Sequence, residues 1–108
     1  MYNSIRNLTD DVSNIAKNTG MSEQQIQRIK DHVFSDEHIL LDGVGQFNPD
    51  YDIAQAWNRL SDGSYNQSDI NLLNHELFES KFEGIFKTDY QTAHNATISS
   101  GRTWNPDK

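Results

Sequence analysis

Two short stretches of the sequence combine histidine with carboxylate or hydroxyl side chains at helical spacing. In "LLNHELFESKFEG", His75 is followed at once by Glu76, and Glu79 stands four residues after His75. In "YQTAHNA", His94 stands four residues after Tyr90. Residues four apart lie on the same face of an α-helix. Each stretch therefore presents an imidazole beside a second polar group.

The His75 stretch has three interpretations, of which two are chemical and one is structural. A His and a Glu at positions i and i+4 can bind a divalent ion, but two ligands from one helix do not complete a site. Glu79 also occupies the position where the zincin signature has its second histidine. Two imidazoles can instead supply a general base and a general acid near neutral pH. The third interpretation is a border histidine that pairs with Glu79 for stability alone.

We predict that His75 and His94 act as base and acid on one substrate, because a short connector allows their helices to pack as a hairpin. Glu79 or Glu76 would orient and stabilise an imidazolium. This chemistry requires no metal ion and no other cofactor. An arginine near a histidine pair can clamp a phosphate, which makes Arg102 a candidate substrate-binding residue.

The other two histidines and Arg59 carry weaker signals. His32 and His38 stand six residues apart across the predicted end of a helix. The helix dipole favours an imidazolium in a last turn, and we prefer this interpretation for His32. Arg59 lies opposite the apolar stripe of Ile53 and Trp57 and is expected to face solvent.

The elements that must position these residues are helical, and the predicted fold class is all-α. Apolar residues recur with a helical period between glycine and proline breaks. Helices four and five are expected to form an antiparallel hairpin. No stretch is a convincing strand, although Asp42-Gly43 in the connector would permit a β-hairpin. The five predicted helices span residues 8–20, 22–34, 50–63, 68–84 and 88–101.

Capping residues mark the predicted helix ends. Gly20 is a plausible C-terminal cap, and Ser22 with Gln25 forms a capping box. Ser68 is the expected N-cap of the fourth helix, and Gly84 is expected to close it.

A helical wheel divides the fourth helix into an apolar face and a polar border. His75, Glu79 and Glu83 are predicted to form a polar seam along the edge of the buried face. That face consists of Ile70, Leu73, Leu77, Phe78 and Phe82.

Length and composition restrict the class of protein. A chain of 108 residues is near the commonest domain size, and we predict one domain over residues 1–108 with an irregular tail at 101–108. Cysteine is absent, which excludes disulfides and thiolate chemistry. No apolar run approaches the roughly 20 residues that span a membrane, and the N-terminus lacks the features of a signal peptide. The net charge of −7 argues against binding nucleic acid by charge alone.

The order of several segments resembles a C-terminal domain of bacterial polymorphic toxins. These segments are "AKNTGMSEQQIQRIKDHVF", "FNPDYDIAQAWNRL", "DINLLNHELFES" and "YQTAH", and the resemblance covers about residues 15–105. The family includes LXG-type secreted toxins of Firmicutes and related phage-associated modules. The end "TISSGRTWNPDK" departs from the family pattern. The positions that match it are His75, Glu76, Glu79, Tyr90 through His94, Phe47, Pro49, Asp50, Trp57 and Arg59.

This resemblance implies an effector secreted as the tip of a larger toxin and acting in the target-cell cytoplasm. Several such tips are similar to RNases, so we expect a metal-independent RNase with Tyr90, Arg59 and Arg102 binding RNA. Two alternatives stay open. One is a non-enzymatic phage or protein-interaction module, and the other is a metal-dependent hydrolase that uses His75 and Glu79.

The resemblance also implies a cognate immunity protein as partner. Complementary charge accelerates association, so an acidic effector predicts an inhibitor with a basic or mixed patch. The acids expected to form a broad negative surface are Asp10, Asp11, Asp50, Asp52, Glu76 and Glu83.

Overall fold

The computed structural model describes residues 2–40, 43–47 and 50–102. The described chain is mostly helical but has more elements than the five predicted helices. It contains six α-helices, a five-residue π-helical segment that directly continues the third helix, and a two-stranded antiparallel sheet. The helices are α1 (Tyr2–Arg6), α2 (Asp11–Thr19), α3 (Glu23–Lys30), α4 (Tyr51–Asp62), α5 (Gln67–Phe86) and α6 (Tyr90–Ser99).

The additional elements lie where the sequence pattern is weakest. Helix α1 is a single short helix with only Tyr2 and Ile5 buried. The strands β1 (His38–Leu40) and β2 (Gly43–Gly45) pair over three residues each. Neither strand is convincing in the sequence, although Asp42-Gly43 permits a β-hairpin in this connector, because strands this short cannot show a sustained alternation. The purely helical prediction was therefore wrong for the connector. Asp42 and Pro49 lie outside the described residues, as does the predicted tail beyond Arg102.

The apolar core joins the N-terminal helices to the first turns of α5. Trp57 of α4 and Phe34 of the π-helical segment are its largest fully buried side chains, and their rings meet edge to face at 5.2 Å. Apolar residues of α2, α3 and α4 point into this core. Its other members are Tyr2, Ile5, Ile15, Ala16, Ile26, Ile29, Val33, Ala54, Leu60 and Leu73.

A closed polar network crosses this core. The Lys30 ammonium lies 3.0 Å from the buried Asp11 carboxylate. The indole N–H of Trp57 donates to Oδ2 of the same carboxylate at 2.9 Å. These contacts connect α2, α3 and α4.

Helix α5 begins earlier and ends later than predicted. Asn66, not Ser68, is its N-cap, because the Asn66 side chain accepts from the Asp69 N–H while the Asp69 carboxylate accepts from the Asn66 N–H. This reciprocal arrangement satisfies two free backbone donors. The helix also continues through Gly84 to Phe86, and Lys87 ends it in a left-handed conformation.

Helices α5 and α6 pack side by side and run antiparallel. His94 contacts Glu79, while Arg102, just beyond α6, contacts His75 one turn earlier on α5. Phe78 and Phe82 are only half-buried, which corrects their assignment to the core face. None of the described helices has the length and hydropathy needed to cross a bilayer.

Candidate metal centre

All four histidines of the chain meet three glutamates of α5 in one buried cluster. Helix α5 supplies one histidine and the three glutamates, and α6, the π-helical segment and β1 supply one histidine each. This "His/Glu cluster" consists of His32, His38, His75, His94, Glu76, Glu79 and Glu83.

Glu79 lies at the centre of the cluster and is only 1% exposed. Its Oε2 is 3.2 Å from His75 Nε2 and 3.1 Å from His94 Nδ1. Its Oε1 is 3.0 Å from His32 Nε2. One carboxylate therefore faces a histidine pair on one side and a third histidine on the other.

The backbone beyond α6 fixes the orientation of His75. The Nδ1–H of His75 donates to the carbonyl of Arg102 at 2.7 Å, because a carbonyl can only accept. Nε2 is consequently the ring nitrogen that faces Glu79. Histidine ligands of metals are oriented in this way, with one ring nitrogen on the ion and the other donating to a carbonyl or carboxylate.

A second group of contacts surrounds His32, where the π-helical segment directs the ring inward. His32 Nε2 is 3.4 Å from Glu76 Oε2, and its Nδ1 is 3.4 Å from Glu83 Oε2. Segments of π-helix occur frequently at functional sites. Here the wider turn belongs to the element that carries the most deeply buried ring of the cluster.

His38 connects this group to the sheet. Its Nε2 donates to the His32 carbonyl at 2.7 Å, and its Nδ1 lies 2.8 Å from Glu83 Oε1. Its ring stacks on Phe47 with centroids 3.8 Å apart. The Oε2 atom of Glu83 is buried and has no hydrogen-bond partner among the described residues.

The electrostatics of the cluster depend on the mutual proximity of these groups. Burial by itself lowers the pKa of His32, but hydrogen bonds to Glu76 and Glu79 outweigh it and raise that pKa to about 9. Burial raises the pKa of Glu79, and the hydrogen bonds from His32 and His75 overcome it and lower that pKa to about 2. Burial also lowers the pKa of His75, but the hydrogen bond with Glu79 outweighs burial, and the pKa of His75 is raised.

The predicted substrate-binding residues occupy three different environments. Tyr90 lies beside the cluster, with its hydroxyl 3.4 Å from His94 Nδ1. Arg102 contributes its carbonyl to His75, while its guanidinium carbon lies 4.7 Å from the centre of the Phe78 ring. Arg59 forms a bidentate ion pair with Asp69 at the start of α5.

Sequence reasoning identified only part of the cluster. His75, Glu76, Glu79 and His94 were predicted together, and the structure brings them together. His32 was interpreted as a helix-end histidine, but its contact with Glu79 is an inward, long-range one. The predicted seam of α5 is buried against α6 and the π-helical segment rather than lying at a border. His38 and Glu83 were missed as members of the site.

The acidic surface is also smaller than predicted. Asp11 is paired in the core, Glu76 is buried, and Glu83 belongs to the cluster. Asp10, Asp50 and Asp52 remain exposed. A count of acids along helices overestimates surface charge wherever a helix face turns inward.

The ligand atoms of the cluster are close enough to bind metal ions. Three sets of side chains each place three ligand atoms within 4.8 Å of one another. Imidazole nitrogen and carboxylate oxygen are ligands of zinc and of other divalent transition metals. The sets are His75–Glu79–His94, His32–Glu76–Glu79 and His32–His38–Glu83.

An open groove of about 1000 Å³ reaches the cluster from the side of α3 and the end of α5. His32, His38 and Glu83 line part of it. Its walls also carry basic side chains, including Arg28 and Lys81. The groove gives solutes a path to the end of the cluster formed by His32, His38 and Glu83.

Comparisons of this chain with known protein families, with curated proteins and with solved structures find no match. The geometry of the His/Glu cluster is therefore the basis on which a function is proposed.

Proposed function

We propose that this protein is a metal-dependent hydrolase whose centre is built on His75, Glu79 and His94. The observation that supports it is the convergence of two imidazole nitrogens on a single oxygen of a buried carboxylate, at 3.2 and 3.1 Å. Two histidines and one glutamate form the protein ligand set of several catalytic zinc sites, in which the fourth position is left for water or substrate.

The same geometry favours this function over a metal-independent RNase. An acid–base pair must reach two different atoms of a substrate. The rings of His75 and His94 lie only 5.3 Å apart, and both face the same Glu79 oxygen. His75 is 6% exposed, so its ring is poorly placed for direct proton transfer to a substrate atom, whereas a small ion fits among these atoms.

The chain supplies the groups that such a centre needs. A bound divalent ion lowers the pKa of its water to about 7 and polarises the bond to be cleaved. The Arg102 carbonyl holds His75 in the ligand tautomer, and His94, whose side chain is 30% exposed, lies on the accessible side. Burial and then the charge of Glu79 raise the pKa of Tyr90. Its hydroxyl therefore stays protonated and can donate to a substrate oxygen.

The toxin resemblance makes RNA the first substrate to test, and growth arrest of a host cell the first phenotype. Purified protein would be incubated with total RNA and with a chromogenic phosphodiester, with and without chelator, followed by readdition of Zn²⁺ or Mn²⁺. We expect hydrolysis that chelator abolishes and metal restores. His94→Gln should lose it, and Asn95→Ala, an exposed neighbour on the same helix, should retain it.

The alternatives give different results in this assay. Cleavage that persists in chelator but is lost in His75→Ala and His94→Ala variants would establish the metal-independent RNase. A folded protein that binds no metal, cleaves neither substrate and is harmless to the host would support the non-enzymatic interaction module.

A further inference from the structure

Glu79 has two carboxylate oxygens, and each faces a different set of ligand atoms. Oε2 faces His75 and His94, as described above. Oε1 faces His32 Nε2 at 3.0 Å, and Glu76 Oε2 lies 3.4 Å from the same nitrogen. The two sets of ligand atoms therefore share Glu79, which contributes one carboxylate oxygen to each set.

We propose that the cluster holds two divalent transition-metal ions bridged by the Glu79 carboxylate, the second ion being bound by His32 and Glu76. This inference rests on the proposed function for the first ion and extends it to a dinuclear centre. Two ions about 3.5–4 Å apart stabilise both the attacking and the leaving oxygen of a displacement. A bridging carboxylate is suited to hold ions at such a separation.

The remaining members of the cluster fit the surroundings of the second ion. A metal on His32 Nε2 places the ring proton on Nδ1, which points at Glu83 Oε2 from 3.4 Å. That oxygen is the buried acceptor without a partner among the described residues. His38 Nδ1 lies 2.8 Å from the other oxygen of Glu83, a contact that holds the carboxyl group in place. A carboxylate on the distal nitrogen of a ligand histidine is a common support of metal sites.

Charge gives the second, independent reason. Glu76, Glu79 and Glu83 place three carboxylates close together on one buried side of α5. Buried charges are stable when they are paired or coordinate metals. Divalent ions bound here would offset these carboxylates directly, in place of protons on the histidine rings.

The set His32–His38–Glu83 offers a different position for the second ion. It would use Nδ1 of His32 and Nδ1 of His38 together with Glu83. We favour the Glu76 placement because the contact of His32 with Glu79 is shorter than its contact with Glu83, 3.0 against 3.4 Å. In that placement His38 is a positioning residue and not a ligand.

The test is a count of bound ions in chelator-treated protein titrated with Co²⁺, by native mass spectrometry and visible absorption. We expect two ions in the wild type, one in His32→Gln, one in His94→Gln and none in Glu79→Gln. His38→Gln should still bind two, with the second at least tenfold weaker. Circular dichroism in the presence of chelator checks that each variant is folded.

The outcomes separate this inference from the proposed function. A single ion that is lost in His94→Gln and retained in His32→Gln would overturn the dinuclear centre and leave the hydrolase proposal standing. No bound ion in the wild type would overturn both. Two ions in Glu76→Gln but one in His38→Gln would overturn the assigned position of the second ion.

Electron paramagnetic resonance of the Mn²⁺-loaded wild type tests the bridge without any variant, and so does not depend on whether the variants fold. Two Mn²⁺ ions bridged by a carboxylate give an exchange-coupled electron paramagnetic resonance spectrum. The uncoupled six-line spectrum of isolated Mn²⁺ at two equivalents would contradict the bridge.

Discussion

Two buried polar networks of this protein, the Asp11–Lys30–Trp57 network and the His/Glu cluster, differ in how completely their donors and acceptors are paired. In the core, Asp11 accepts from Lys30 and from the indole of Trp57. Lys30 also donates to the Leu8 carbonyl, so the anion and the cation of that network are both paired. In the His/Glu cluster, two rings share one oxygen of Glu79, and a buried oxygen of Glu83 has no hydrogen-bond partner in the described chain.

This difference separates a structural ion pair from a set of ligands. Structural networks pair each donor with an acceptor, because an unpaired buried group costs about 1–3 kcal/mol. A ligand set instead points several acceptors and lone pairs at one place. The core network pairs its donors with acceptors. In the His/Glu cluster, several acceptor atoms face one point, as in a ligand set.

The largest effect is expected from breaking the core network. Asp11→Ala leaves the buried Lys30 ammonium without its counterion and with the Leu8 carbonyl as its remaining acceptor, which should lower the free energy of unfolding by about 3–5 kcal/mol. Urea denaturation measures this loss. Asp10→Ala is the matched control, because Asp10 is exposed and makes no side-chain cap hydrogen bond; its change should stay within about 0.5 kcal/mol. Equal losses in the two variants would contradict the assignment.

The cluster should instead respond to metal. Zn²⁺ at a free concentration of 100 times its dissociation constant should stabilise the wild type by about 2.7 kcal/mol. Glu79→Gln keeps the shape of the side chain but removes its charge, and its melting temperature should not respond to Zn²⁺. Lys17→Gln, an exposed change on α2, should retain the full response. A zinc-induced rise in Glu79→Gln equal to that of the wild type would show that the ion binds elsewhere.

The metal-free protein should be most stable between about pH 4.5 and 6.5. The pKa of His32 is raised from 6.5 to about 9, so its stabilisation is complete below 6.5 and is lost as the pH rises through 9. The pKa of Glu79 is lowered from 4.5 to about 2, so its stabilisation is present above 4.5 and is lost as the pH falls through 2.

The alkaline loss should be on the order of 2 kcal/mol. Urea titrations in chelator at pH 6 and pH 9.5 measure it. His32→Gln removes the titrating ring and should flatten the alkaline limb. An unchanged pH profile in that variant would mean that another group titrates.

The smallest effect is expected at Arg59. Its bidentate pair joins a side chain that is 39% exposed to the Asp69 carboxylate, which is only 1% exposed. Because that carboxylate also accepts from the Asn66 N–H, Arg59→Ala should destabilise by only about 1–2 kcal/mol. Metal affinity should be unchanged. A loss of RNA hydrolysis without loss of stability would instead support the substrate-binding role predicted from the sequence.

The comparison between the two networks also shows what the sequence could reveal. Helices α2, α3 and α4 follow from apolar period and capping residues, which are local signals. Glu79 and His94 were linked to His75 because all three lie on two helices joined by a short connector. The start of α5 was within reach too, since Asn66 with Asp69 is a better capping box than any beginning at Ser68.

The rest of the cluster depends on long-range packing. His32 enters it through a π-helical turn, and His38 through a strand of three residues. Neither element has a period that a sequence pattern can detect. The buried carboxylates of α5 look like surface acids until the partner helices are placed against them.

The most direct test is a crystal structure of the zinc-loaded protein with anomalous data collected at both sides of the zinc absorption edge. The account predicts a peak within about 2.0–2.2 Å of His75 Nε2, His94 Nδ1 and Glu79 Oε2. Refined density with no anomalous peak at these atoms, and Glu79 hydrogen-bonded to the two rings in zinc-soaked crystals, would contradict it.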